Sequence, residues 1–126
     1  MNKIKIVLIV ESDPINKFIL DKILSKCGLR IVSTDSTLQA LKYFKHQYFD
    51  LIITDLIMAG MDGLTFATKV REVEQSKQTK TPIILTITSP LDDSLMPKIS
   101  GLEPLEVFEK PISYGDMLDV INRLMA

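Results

Sequence analysis

The sequence lacks several features that would restrict its fold or its partners. It has no tryptophan, one cysteine, one histidine and a net charge of −1. A single Cys27 excludes an internal disulfide, and we expect it on the apolar side of a helix, where cysteine behaves as a small hydrophobic residue. The near-neutral charge, without a run of basic residues, excludes the broad positive surface that nucleic-acid binding requires.

A long hydrophobic segment is also missing. The apolar run at residues 4–10 is far shorter than the roughly 20 residues of a membrane-spanning helix, and it is not followed by the small-residue cleavage pattern of a signal peptide. We therefore expect a cytoplasmic protein without membrane contacts. The 126 residues, 46% hydrophobic and 25% charged, predict a single domain over residues 1–126 that folds without a disulfide or a metal.

Five short apolar runs rich in β-branched residues are each followed by a segment of helical periodicity. The runs are 4–10, 29–33, 51–55, 83–87 and 105–108. The first, third and fourth are nearly continuous, which is typical of strands covered on both faces of a parallel sheet. The repeated strand–helix alternation predicts an α/β fold, with a doubly wound, five-stranded parallel sheet and helices on both faces.

The predicted helices carry recognisable start and stop signals. Asp13 and Pro14 predict an N-cap followed by proline at the first helical position, and Gly28 predicts the end of that helix. Pro97 predicts a short or distorted fourth helix near residues 91–99, because proline removes a backbone donor. The predicted buried stripes are Ile15, Phe18, Ile19 and Ile23; Ala40, Leu41 and Phe44; Leu64, Ala67 and Val70; and Met117, Val120, Ile121 and Leu124.

Charged residues stand at the carboxyl ends of three predicted strands. Glu11 follows the first strand, Asp55 ends the third, and Lys110 with Pro111 follows the fifth. In the flavodoxin-like strand order 2-1-3-4-5, the first and third strands are neighbours where the winding reverses, and ligands bind outside their carboxyl ends. Two carboxylates and one lysine at this edge predict a metal and phosphate site.

The chain resembles the receiver domain of two-component response regulators along its whole length. The resemblance rests on Glu11, on Asp50-Leu-Ile-Ile-Thr-Asp55 followed by Met58-Ala-Gly-Met-Asp-Gly63, and on Lys110-Pro111. It implies that Asp55 accepts a phosphoryl group from a sensor histidine kinase or a histidine phosphotransfer protein. It further implies that the protein signals through a downstream protein partner and is no enzyme beyond its own phosphorylation and slow dephosphorylation.

The physical requirements of phosphoryl transfer support these roles. A carboxylate attacks phosphorus only when the negative charges of both groups are neutralised. Mg²⁺ prefers hard oxygen ligands, and we expect it to bind Glu11, Asp55 and the main-chain carbonyl of Ile57. We expect the ammonium of Lys110 to bind Asp55 before transfer and a phosphoryl oxygen afterwards. The apolar side chain of Ile57 should shield the acyl phosphate from water and slow its hydrolysis.

A hydroxyl that binds the phosphoryl group is expected at the end of the fourth strand. Counting back from Lys110 gives Thr88, whereas counting forward from Pro82 gives Ile87, which has no hydroxyl. Thr86 and Thr88 share one face of a strand, so both are candidates. We expect Thr88 to serve, with Thr86 as the alternative.

Two positions depart from the receiver pattern. Ser12 replaces the second acid after the first strand, which is the principal metal ligand in receivers, so we expect weaker Mg²⁺ binding with phosphotransfer retained. Asp13 is a replacement ligand only if it is free from its role as helix N-cap, and we favour the cap. Val107 stands where many receivers have an aromatic switch residue, and Phe108 should point to the opposite face of the sheet.

Alternative functions follow from the same residues. The neutral Ser12 is also consistent with a pseudo-receiver, a binding module that acts without phosphorylation. A flavin-binding electron carrier of similar topology is disfavoured, because the acids Glu11 and Asp13 would repel a phosphate. We expect a free-standing monomer or weak dimer with output by protein contact, or alternatively a piece of a hybrid kinase.

Overall fold

A computed structural model describes residues 5–126, and their backbone forms one parallel sheet with helices between the strands. The predicted first strand began at Ile4, which lies outside the described residues. The strands are β1 (Ile6–Val10), β2 (Arg30–Thr34), β3 (Leu51–Asp55), β4 (Ile83–Ile87) and β5 (Leu105–Glu109). The helices are α1 (Pro14–Lys26), α2 (Thr37–His46), α3 (Gly63–Val73), α4 (Met96–Ser100) and α5 (Tyr114–Met125).

The strand order is β2-β1-β3-β4-β5, and every pairing is parallel. This confirms the predicted fold class and strand order. The strands β3 and β4 are buried throughout, as continuous apolar runs require. Alternate strand residues pack into two separate cores on opposite faces of the sheet. One core lies under α1 and α5, and the other lies under α2, α3 and α4.

The helix signals in the sequence have the expected structural roles. The Asp13 side chain accepts a hydrogen bond from the Ile15 amide at the start of α1, and Gly28 has a φ of 73° just beyond the helix end. Helix α4 has only 5 residues and follows a short 3₁₀ turn. Pro97 lies in its first turn, where a missing amide donor costs little.

The predicted buried stripe of α1 is wrong at two of its positions. Ile15 is 70% exposed and Phe18 is 61% exposed, whereas Leu20, Ile23 and Leu24 face the core. Counting apolar spacing alone did not distinguish the two faces, because α1 has apolar residues on both. The other three stripes are buried or half-buried as predicted.

Cys27 is exposed, which corrects our expectation of a buried cysteine. It follows the last residue of α1 as the C-cap, where the chain turns away from the core toward Gly28. Across residues 5–126, none of the helices combines the length and the apolar character that crossing a bilayer requires.

Candidate functional site

Three charged side chains meet at the carboxyl edge of the sheet. Lys110 Nζ donates a hydrogen bond to Glu11 Oε1 at 2.8 Å and another to Asp55 Oδ2 at 3.1 Å. The side chains of Lys110, Glu11 and Asp55 are 8%, 2% and 9% exposed. The strand order brings them together, because β1 and β3 are neighbours and Lys110 directly follows β5.

The buried cluster holds two carboxylates and one ammonium group. Burial of Lys110 lowers its pKa, but the hydrogen bonds and negative charges of Glu11 and Asp55 together outweigh burial, and the pKa of Lys110 is raised. The ammonium is therefore fully protonated at neutral pH and available as a donor. One negative charge remains uncompensated within the cluster, which favours a further cation.

The remaining carboxylate oxygens have protein partners as well. Thr86 Oγ1 lies 3.4 Å from Asp55 Oδ1, a long hydrogen bond. Glu11 Oε2 accepts a hydrogen bond of 3.2 Å from the Asp13 amide. Both carboxylates are thus held at two points, and the orientation of Asp55 is defined before any ligand binds.

The structure brings Thr86, rather than the favoured Thr88, next to Asp55. Thr86 pairs with Asp55 across β3 and β4 and is 1% exposed. Thr88 lies beyond the last residue of β4, is exposed, and lines a cavity of about 160 Å³ together with Ile57 and Ile87. The count back from Lys110 assumed a shorter connection between the fourth strand and the lysine than this chain has.

Gly63 shapes the site through its missing side chain, which sequence reasoning did not predict. A Cβ atom at this position would lie 2.2 Å from the carbonyl oxygen of Asp55. The Gly63 amide also donates to the carbonyl of Leu56 at 2.8 Å. The sequence did contain a signal for this role, because Gly63 directly follows the cap residue Asp62. Glycine is a poor helix former, so its presence in the first turn of α3 indicates a steric requirement.

Metal ligands are sparse at this edge. Among residues 5–126, no group of three or more His, Cys, Asp or Glu side chains is arranged to hold a metal ion. Ser12 is exposed and neutral. Asp13 Oδ1 accepts from the Ile15 amide at 3.0 Å and Oδ2 from the Asn16 side chain at 2.8 Å, which commits Asp13 to the helix cap rather than to a metal.

Glu11 and Asp55 nevertheless fit the smallest donor set that Mg²⁺ uses, which is one or two carboxylates supplemented by substrate oxygens and waters. The two carboxylates bind the same ammonium group, so they lie close enough together for one small cation to contact both. Ile57, the predicted carbonyl donor, follows Asp55 by two residues in the β3–α3 connection, and its side chain is 67% exposed. The donor set therefore fits Mg²⁺, with fewer charges than two adjacent acids would provide.

Val107 of β5 stands where many receivers have an aromatic residue. Val107 and Phe108 pack into the two different cores, on opposite faces of the sheet, as predicted. Val107 faces the side of α3 and α4, and the neighbouring Ile87 is also apolar. The β4–α4 side of the site therefore presents mainly apolar surface.

Comparison with known proteins agrees with this geometry. The response regulator receiver domain family matches residues 7–122. Hybrid signal transduction histidine kinase G from Dictyostelium discoideum is 34% identical over 119 residues, which are 93% of this chain and 3% of that protein. The chain spans between 3% and 16% of the length of the first curated relatives that it matches.

Two solved structures have the same fold. A response regulator receiver protein from Pseudomonas putida has a TM-score of 0.83 and 25% identity, covering 98% of this chain and 99% of that one. The receiver domain of sensor histidine kinase PA1611 from Pseudomonas aeruginosa, which has a magnesium ion coordinated in its active site cleft, has a TM-score of 0.82 and 20% identity, covering 98% of both chains. The chain belongs to the response regulator receiver domain family of two-component systems.

Proposed function

We propose that Asp55 accepts a phosphoryl group from the histidine of a sensor kinase or a phosphotransfer protein. The observation that carries the proposal is the Lys110 ammonium 3.1 Å from Asp55 Oδ2, in a cluster that keeps one uncompensated negative charge for a cation. Such a pairing of a nucleophile with a fixed cation is what phosphoryl transfer requires. The described residues form the signalling module, and its output is a change in protein contacts.

In the proposed reaction an oxygen of Asp55 attacks phosphorus while the bond between phosphorus and the donor nitrogen breaks. The electron pair of that bond stays on the donor imidazole. Lys110 neutralises charge on the transferred oxygens, and the buried Thr86 hydroxyl is the nearer of the two candidate hydroxyl donors. Bound Mg²⁺, held by Glu11, Asp55 and the carbonyl of Ile57, would supply further neutralisation. Slow hydrolysis of the product, favoured by the apolar Ile57, remains a prediction.

The exposed apolar residues of α1 support the proposal that a phosphodonor protein binds at the carboxyl edge of the sheet. Ile15 and Phe18 lie on the helix that begins at the site, and both are more than half exposed. Exposed apolar side chains beside a buried catalytic group are typical of a protein contact surface. The donor then contacts α1 while its histidine reaches Asp55.

Replacement of Asp55 by asparagine tests the proposal. We expect wild-type protein incubated with acetyl phosphate and Mg²⁺ to gain the mass of one phosphoryl group, measured by intact mass spectrometry. Asp55→Asn should gain none, because an amide oxygen is too weak a nucleophile. Asp50→Asn is the matched control, since Asp50 binds the Ile6 amide at the opposite end of β3 and should leave the adduct intact.

The same experiment separates the receiver from the pseudo-receiver. The neutral, exposed Ser12 favours the pseudo-receiver as the second candidate. An adduct that persists in Asp55→Asn, or no adduct with either acetyl phosphate or a phosphorylated histidine donor, would exclude Asp55 as the phosphoacceptor. The second result would favour a binding module that acts without phosphorylation.

Restoration of the second acid should strengthen metal binding. We expect Ser12→Asp to bind Mg²⁺ more tightly, by roughly tenfold or more, because a third carboxylate adds charge at the cation. Titration of Mg²⁺ by isothermal calorimetry measures the two affinities, and Ser12→Asn controls for side-chain size. Equal affinities for the wild type and Ser12→Asp would show that position 12 does not contact the metal.

A further inference from the structure

A continuous path of hydrogen bonds connects the phosphoacceptor with the start of α1. Lys110 bridges Asp55 and Glu11. The other oxygen of Glu11 accepts from the Asp13 amide at 3.2 Å, and Asp13 Oδ1 accepts from the Ile15 amide at 3.0 Å. The steps from Asp55 to the Asp13 amide are half-buried, and the last step, to the Ile15 amide, is exposed at the start of the helix that also exposes Phe18.

The opposite side of the site offers no comparable path. Thr86 lies inside β4, is 1% exposed, and has strand neighbours on both sides, so its hydroxyl has little room to follow a new ligand. Val107, which faces α3 and α4, and Ile87, which lines the cavity beside Ile57, have no polar side-chain atoms to respond to a charge. The polar groups that can respond to a change at Asp55 therefore lie mainly on the side of α1.

We propose that Glu11 is a positioning residue that couples the state of Asp55 to the N-terminus of α1. This inference rests on the proposed function, because phosphorylation is the change that it transmits. In the unmodified protein Lys110 holds Glu11, and Glu11 holds the Asp13 amide. After transfer the bond between Glu11 and Asp13 loosens, and the first turn of α1 shifts together with the surface that contacts the donor.

The physical reason is competition for one ammonium group. A phosphoryl group brings a charge of about −1.5 to −2 and three strong acceptor oxygens, which draw the donors of Lys110 away from Glu11. Glu11 is 2% exposed, and a buried carboxylate that loses its cation is costly. Glu11 would therefore turn toward the Mg²⁺ that we propose it helps to hold, and its second oxygen would leave the Asp13 amide. The surface of α1 that contacts the donor would then change once the phosphoryl group has been delivered.

The test follows the amide resonance of Asp13 by NMR. We expect the Asp13 amide proton to shift upfield in the phosphorylated protein, relative to the unphosphorylated protein at the same Mg²⁺ concentration, because its hydrogen bond to a carboxylate is weakened. In metal-free Asp55→Asn we expect the opposite shift, because Lys110 then has Glu11 as its only carboxylate partner at the site. The Ile6 amide is the internal control, since it also binds a carboxylate, Asp50 Oδ2 at 2.8 Å, but at the far end of the sheet.

A double-variant cycle isolates the contribution of Glu11. In Glu11→Gln, which keeps the size of the buried side chain but removes its charge, Asp55→Asn should no longer shift the Asp13 amide. An Asp13 amide that is unmoved by both phosphorylation and Asp55→Asn, or that moves equally in the Glu11→Gln background, would overturn the coupling. The Asp55→Asn arm needs no phosphorylation, so a coupling seen there without any phosphoryl adduct would support the path and refute the proposed function instead.

Discussion

Gly63→Ala is expected to destabilise the protein by about 3 kcal/mol, the upper end of the roughly 1–3 kcal/mol that overpacking typically costs. The new Cβ would lie 2.2 Å from the carbonyl oxygen of Asp55 and 3.0 Å from the Cα of Leu56. Both atoms belong to the backbone at the end of β3, so neither can turn away as a side chain could. The chain has to move α3 away from β3 or displace Asp55.

Urea denaturation of the two proteins measures the loss. Gly115→Ala is the matched control, because no atom lies within 4 Å of its added Cβ and the residue stands in the first turn of α5. We expect that control to gain up to about 1 kcal/mol, since alanine is the better helix former. A Gly63→Ala protein as stable as the control would mean that α3 shifts freely and that Gly63 does not position Asp55.

Lys110→Ala is expected to lower the free energy of unfolding by about 3–5 kcal/mol at neutral pH in the absence of divalent cations. The substitution leaves the buried carboxylates of Glu11 and Asp55 beside each other without a cation. Urea denaturation of the wild type and the variant measures the loss. Lys98→Ala, at an exposed position of α4, should change little.

The wild type provides a pH test of the same cluster. The pKa of Lys110 is raised above the ordinary 10.5 of the unfolded chain. A raised lysine pKa adds stability that is complete below pH 10.5 and disappears as the pH rises through the folded-state pKa. The stability difference between wild type and Lys110→Ala should therefore shrink above that pH. A difference that stays constant across this alkaline range would show that the ammonium contributes nothing through its charge.

Local sequence patterns predicted most of the fold and part of the site. The apolar runs at 51–55 and 83–87 match β3 and β4 in full, because strands covered on both faces are nearly continuous apolar runs. Asp55 and Lys110 were predicted to meet, and they do. The α1 stripe failed at Ile15 and Phe18, since periodicity reports that a helix is amphipathic but not which residues a particular sheet covers.

The choice between Thr86 and Thr88 depended on register and loop length, which local patterns do not contain. Because Thr86 pairs with Asp55, the Thr86 hydroxyl lies inside the sheet and the Thr88 hydroxyl lies beyond its edge. The close approach of Gly63 to Asp55 was not predicted for a similar reason, because it depends on how α3 packs against the end of β3.

Residue types and their spacing along the chain were sufficient to establish the alternating strands and helices, the parallel sheet and the charged residues at its carboxyl edge. These features depend on short-range preferences that each segment expresses alone. The bridge from Asp55 through Lys110 to Glu11 and α1 became visible only in three dimensions. It joins residues from both ends and the middle of the chain, and distances between them are set by packing of the whole domain rather than by any local pattern.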